Sequence, residues 1–208
     1  IAAWGAARCN FAKSQLELTR ARIICVFCSV SFCRATTAPR SCPKESGDAF
    51  SFGGLPRPLR PGGASWRQAT EDGFTPQAVP EAVRGADVVA ILVPDAVQPA
   101  LFAEAVAPNL RDGALVLFAH GFNVHFEQLT VPDHVDVGLV APKGPGGLVR
   151  RQFEEGRGVP SLVAVEQDVT GTALSRTLAY AHGLGAARAA VLSTTFAEET
   201  ETDLFGEQ

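Results

Sequence analysis

The sequence predicts an α/β fold, a doubly wound sheet in which strands alternate with helices. Three observations predict it. Short apolar runs rich in β-branched residues recur along the chain, stretches with helical spacing follow them, and Gly or Pro punctuation closes each unit. The first clear run is Ala86–Val93, ended by Pro94. Beyond Asp87 it is continuously apolar rather than alternating, as expected of a strand covered on both faces, so a parallel sheet is expected. Residues 95–107 then carry apolar positions at helical spacing, Val97, Leu101, Ala105 and Val106, closed by Pro108, Asn109 and Gly113. Strands are next expected at Ala114–Ala119, at Val135–Val140 and at Ser161–Val165. Asp168 and Thr170 are capping candidates for a helix through Leu174, Leu178 and Ala181, which should end near Gly183–Gly185. A last strand is expected at Ala189–Leu192.

Composition narrows the function. The chain of 208 residues is 46% hydrophobic and 19% charged, ordinary values for a globular core. Its net charge of -4 offers no broad basic surface, so nucleic acid is not an expected partner and small-molecule chemistry is. An apolar run in the first segment, Ile23–Phe32, falls short of the ~20 residues that cross a bilayer, so no membrane span is expected.

The first part of the chain differs from the rest. Residues 1–44 hold seven Lys or Arg against one acid, Glu17, and all five cysteines lie at Cys9, Cys25, Cys28, Cys33 and Cys42. Clustering at one end argues against a disulfide framework, and Cys25-x2-Cys28 lacks the second ligand pair of a structural zinc site. Residues 1–57 are therefore set apart as an atypical segment, either a frame-shifted or intron-derived stretch or a basic, acid-poor transit leader. With no methionine and an opening Ile1, the chain is expected to be a piece of a longer reading frame.

In a doubly wound fold, ligands bind beyond the carboxyl ends of the strands. There the chain places His120, followed by Gly121, and the turn Ala141-Pro-Lys-Gly-Pro-Gly146, which combines Lys143 with glycines that admit close backbone approach. A histidine hydrogen-bonded within the sheet and a solvated lysine are the plainer alternatives. Near the end stands Phe196-Ala-Glu-Glu-Thr-Glu-Thr-Asp-Leu-Phe-Gly-Glu207. If it is helical, Asp203 and Glu207 share a face at i and i+4, with Glu199 one turn earlier, a spacing suited to a hard cation or to a solvated acidic surface.

Several segments occur in one order: RPGGASW at 60–66, EDGF at 71–74, ADVV at 86–89, FAHGFNVHF at 118–126, APKGPGGLVRR at 141–151, VEQD at 165–168 and TTFAEETETDLFGEQ at 194–208. Together they resemble the ketol-acid reductoisomerases, also called acetohydroxy acid isomeroreductases, over residues 58–208. The resemblance implies a Rossmann-type NADP-binding domain over 58–193 and the truncated start of an all-α C-terminal catalytic domain over 194–208. It implies an enzyme of valine, leucine and isoleucine biosynthesis that needs NADPH and two Mg2+ ions. Its substrates would be acetohydroxy acids, 2-acetolactate and 2-aceto-2-hydroxybutyrate. By residue, it implies His120 and Lys143 as catalytic, Asp203 and Glu207 as metal ligands, and Arg60, Ser65, Asp95, Gln98 and Gly146 as cofactor contacts.

The same resemblance implies a homo-oligomer, located in the cytoplasm or, with a genuine leader, in a mitochondrion or plastid. Gly63, Ala96 and Ala197 depart from the family pattern, and no GxGxxG occurs; residues 34–42, where the glycine turn belongs, read RATTAPRSC. Residues 1–208 alone are therefore expected to lack reductoisomerase activity. A non-catalytic NADPH-binding module and another Rossmann-type hydroxy-acid dehydrogenase are the competing readings.

Overall fold

The computed structural model describes residues 22–26, 31–32, 67, 70 and 76–206. Its framework is a seven-stranded sheet in the order β2-β1-β3-β4-β5-β6-β7. The strands are β1 (Ile23–Val26), β2 (Ser31–Phe32), β3 (Val88–Ile91), β4 (Leu115–Phe118), β5 (Asp136–Pro142), β6 (Ser161–Gln167) and β7 (Val191–Ser193). Ile23–Val26, in the compositionally atypical first 57 residues, runs parallel to β3 with Ile24 opposite Val89. Its β-branched, apolar residues suit an interior strand.

The helices are α1 (Val79–Val83), α2 (Gln98–Leu101, continuing through a π turn at Phe102–Val106), α3 (Phe122–His125), α4 (Gly146–Glu154), α5 (Ala173–Gly183) and α6 (Phe196–Gly206). Alternate strand residues feed two cores. Val89, Ile91, Val116, Phe118 and Leu139 pack with Val83, Phe102, Val106 and Phe196 on one face. Val88, Ala90, Leu115, Leu117 and Val163 pack with Ala181 and Ala186 on the other. Both faces are thus covered, which is why β3 and β4 read as unbroken apolar runs.

The expected parallel sheet is corrected at two seams. Strands β1, β3, β4 and β5 are parallel, but the edge strand β2 is antiparallel to β1, and β6 is antiparallel to β5, pairing Pro142 with Ser161 and Leu139 with Ala164. Helix α4 does not cross a face of the sheet. Lys143 N donates to Pro160 O (2.8 Å), so the chain returns to the end of β5 it had just left. The connection is a hairpin carrying a helical excursion, and direction reverses beyond it. The described residues contain no helix long and apolar enough to cross a membrane.

At the amino ends of β3–β5, buried Asp136 accepts from Val169 N (2.8 Å), Thr170 N (3.0 Å), Thr170 Oγ1 (2.6 Å) and Arg176 Nη1 (3.1 Å). Arg176 also donates to Gly113 O (2.9 Å) and Asp87 O (2.5 Å). One guanidinium therefore ties the starts of three strands together. Asp168, expected as a cap, accepts from Ala173 N (3.0 Å) at the start of α5, and Thr170 serves Asp136.

Candidate functional site

The opposite rim of the sheet, where β4 and β5 end, gathers four charged side chains. His120 follows β4 and Lys143 follows β5, while Glu199 and Asp203 lie one turn apart on α6. Helix α6 is held down by Phe196, buried and edge-on to Phe118 with ring centroids 6.4 Å apart. Close approach of α6 to the β4 loop depends on Gly121. A Cβ there would sit 2.5 Å from Thr200 Oγ1 and 2.9 Å from Phe196 O.

Glu199 is 1% exposed and nonetheless ionised. Burial alone would raise its pKa, but hydrogen bonds from His120, Gly121 N and Lys143 outweigh that and lower it. Its Oε2 accepts from Gly121 N (2.9 Å) and lies 3.1 Å from His120 Nδ1, while its Oε1 accepts from Lys143 Nζ (3.1 Å). Lys143 also donates to Asp203 Oδ1 (2.7 Å), and His120 Nδ1 is 3.5 Å from Asp203 Oδ2.

The partners respond in kind. The Glu199 hydrogen bond raises the His120 pKa against the desolvation that would lower it, with the charges of Asp95 and Asp203 adding to the rise. Lys143 loses solvation, yet its bonds to Asp203 and Glu199 hold its pKa above the ordinary value. Two carboxylates thus face an ammonium and an imidazole of raised basicity at a rim that stays partly open on the His120, Lys143 and Asp203 side. Ligand atoms of His120, Glu199 and Asp203 lie within 4.8 Å of one another, a grouping able to hold a metal ion.

The structure brings together His120, Lys143 and Asp203 of the site residues expected from sequence. Glu207, Arg60 and Ser65 lie outside the described residues, as does the 34–42 segment. Gly146 starts α4 behind Pro145 and is exposed at the same end of the sheet. Asp95 and Gln98 follow β3 on the neighbouring loop. Gln98 is 4% exposed, and its amide is turned inward onto Val93 O (2.9 Å) and Asp95 Oδ1 (3.1 Å).

Glu199 was the residue left without a role by its sequence. Its one signal was the i-4 spacing from Asp203, which a solvated helix face would show equally.

A sequence profile described as "Acetohydroxy acid isomeroreductase, NADPH-binding domain" matches residues 55–190. The chain belongs to the acetohydroxy acid isomeroreductase family. Among solved structures, it is 44% identical to an NADH-preferring ketol-acid reductoisomerase from an uncultured archean, with a TM-score of 0.69. That match covers 70% of this chain and 44% of the other, so the chain spans less than half of that reductoisomerase. A semialdehyde dehydrogenase NAD-binding protein from Cupriavidus necator, solved with calcium and NAD, is 19% identical with a TM-score of 0.54. The match covers 68% of this chain and 58% of that one, a likeness of fold alone. The isomeroreductase chain therefore has a Rossmann-like, nicotinamide-dinucleotide-binding fold, with its charged cluster at the carboxyl ends of β4 and β5.

Proposed function

We propose that the protein carrying this chain is a ketol-acid reductoisomerase acting on 2-acetolactate and 2-aceto-2-hydroxybutyrate. The reaction has two steps. An alkyl group migrates with its electron pair from the carbinol carbon to the neighbouring carbonyl carbon, and the resulting 2-keto acid is reduced to a 2,3-dihydroxy acid. The carrying observation is the placement of Glu199 and Asp203, one helical turn apart, opposite His120 and Lys143 at the strand ends. Hydride transfer by itself does not call for two such carboxylates.

The donor set suits a hard divalent ion. Asp203 presents a partly exposed carboxylate at the rim, and its present partner, the Lys143 ammonium, marks that position as one that attracts positive charge. Oxygen donors are what Mg2+ prefers, and Asp203, together with Glu207 four residues later in the sequence, would hold it. Glu199 has both oxygens engaged by Gly121, His120 and Lys143 and is better placed to orient those groups. When bound, Mg2+ supplies Lewis-acid polarisation of substrate oxygens.

The chain's own residues supply the rest. His120, kept protonated to higher pH by Glu199, can hand a proton to an oxygen that gains charge as the alkyl group arrives. Lys143 offers a fixed positive charge to the same oxygens. NADPH supplies the hydride, with Arg60 and Ser65 proposed to receive its 2′-phosphate and the Asp95 loop and Gly146 to meet its backbone. A homo-oligomeric enzyme follows from the same family relation.

The test is NADPH oxidation by the enzyme that contains this chain. It is expected to require both 2-acetolactate and Mg2+, and Asp203→Asn is expected to abolish it while leaving NADPH binding intact. Turnover independent of a divalent ion would refute the reading. Parallel titration with NADH decides whether Arg60 and Ser65 confer a phosphate preference in the presence of Gly63.

A further inference from the structure

Two loops leave the sheet rim side by side: residues 93–98 after β3, and residues 119–125 after β4. A side-chain clamp joins them. Asn123, 2% exposed in α3, donates through Nδ2 to the backbone carbonyl of Asp95 (3.0 Å) and to Gln98 Oε1 (3.0 Å). Gln98 then donates to Val93 O (2.9 Å) and Asp95 Oδ1 (3.1 Å). Asp95 Oδ1 also lies 3.5 Å from Asn123 Nδ2.

Chemistry fixes the sense of both amides. A backbone carbonyl only accepts, so the Asn123 atom facing Asp95 O must be the NH2 group. The Gln98 atom that Asn123 also meets is therefore the carbonyl oxygen, which leaves the Gln98 NH2 for Val93 O and Asp95 Oδ1. Flipping either amide would set oxygen against oxygen at two contacts. Buried amide pairs of this kind are costly to leave half made and hold one arrangement strongly. The clamp touches three residues of the first loop, at positions 93, 95 and 98. It is anchored three residues from His120 through a single turn of helix.

We propose that Asn123 is a positioning residue that locks the Asp95–Gln98 loop in its cofactor-receiving shape and in register with the His120 loop. The inference rests on the reading that this loop meets the nicotinamide dinucleotide. Asn123 does not touch the cofactor itself. It removes the need to order the loop when the cofactor arrives, so its loss weakens binding without removing any contact to the ligand.

The variants are Asn123→Ala, which deletes the donor, and Asn123→Asp, which presents acceptors to Asp95 O and Gln98 Oε1; Asn123→Ser is the fallback should neither fold. Two measurements are made on the full chain: amide hydrogen exchange without cofactor, and NADPH and NADH titration by fluorescence. Loss of two buried hydrogen bonds is expected to raise the dissociation constant ~tenfold or more. Exchange is expected to accelerate at residues 95–98, with protection in β3–β5 unchanged. Unchanged exchange in the loop, or loss of protection spread evenly through the sheet, would overturn the proposal, as would variants that bind like the parent. A parent chain that binds neither cofactor refutes the dinucleotide reading instead, and the exchange measurement still decides whether Asn123 holds the loop.

Discussion

Among the described residues, two carboxylates are almost wholly withdrawn from water, and they sit at opposite rims of one sheet. Asp136, 0% exposed, is answered by two backbone amides, a threonine hydroxyl and the guanidinium of Arg176, itself nearly buried. Glu199, 1% exposed, is answered by one backbone amide, an imidazole and an ammonium, and the latter two reach the open rim. Asp136 has partners that do not titrate near neutrality. Glu199 has one that does, His120, and it shares His120 and Lys143 with a second carboxylate, Asp203. A buried charge answered by permanent donors is architecture; one balanced by a protonatable partner at an open rim is equipped for chemistry.

The largest effect should come from breaking the fixed rim. Arg176→Met would leave Asp136 buried without its cation, and ~3–5 kcal/mol of stability should be lost, read from the denaturant midpoint at constant slope. A loss no larger than that of Glu199→Gln would erase the distinction between the rims. Next comes Gly121→Ala, whose methyl group has no room against Thr200 Oγ1 and Phe196 O. Overpacking should cost ~1–3 kcal/mol and move α6 away from His120, visible as altered chemical shifts for that imidazole.

Smaller in stability, but specific in signature, is Glu199→Gln. Without the carboxylate, the His120 titration midpoint followed by NMR should fall toward the ordinary imidazole value of 6.5. An unmoved midpoint would mean that Glu199 does not govern it. The smallest effect is a pH dependence of the metal-free chain. Glu199 is lowered on folding, so its contribution is complete above the ordinary carboxyl value of 4.5 and fades as pH falls through the lowered value. His120 is raised, so its contribution is complete below 6.5 and fades as pH rises through the raised value. Their joint contribution should therefore be full between these two values, and the slope above 6.5 should vanish in Glu199→Gln. A parent profile without that slope would contradict the pairing.

How much of this was legible in the sequence differs between strands and site. Strands β3 and β4 declared themselves because burial on both faces leaves no polar alternation to confuse with a surface strand. The direction of β6 did not. A run such as Ser161–Val165 carries no arrow, and the stretch from Lys143 to Pro160 could have served either a crossover or a return. Only the pairing of Pro142 with Ser161 distinguishes them.

Ile23–Val26 was obscured by its setting, since cysteines and basic residues around it gave no periodic pattern. At the site, His120, Lys143 and Asp203 were found through family motifs and strand-end logic. The clamp of Gln98 and Asn123 was not, because two amides 25 positions apart give no local signal that they will meet.

The bridge from Lys143 to Glu199 and Asp203 of α6 also bears on how the domain can be made. A helix presenting carboxylates at i and i+4 would ordinarily self-repel, and many such sites stay unfolded until an ion arrives. Here the protein carries its own counter-charge. Its folding should accordingly be indifferent to chelators, so that assembly of the scaffold and loading of the site are separate events.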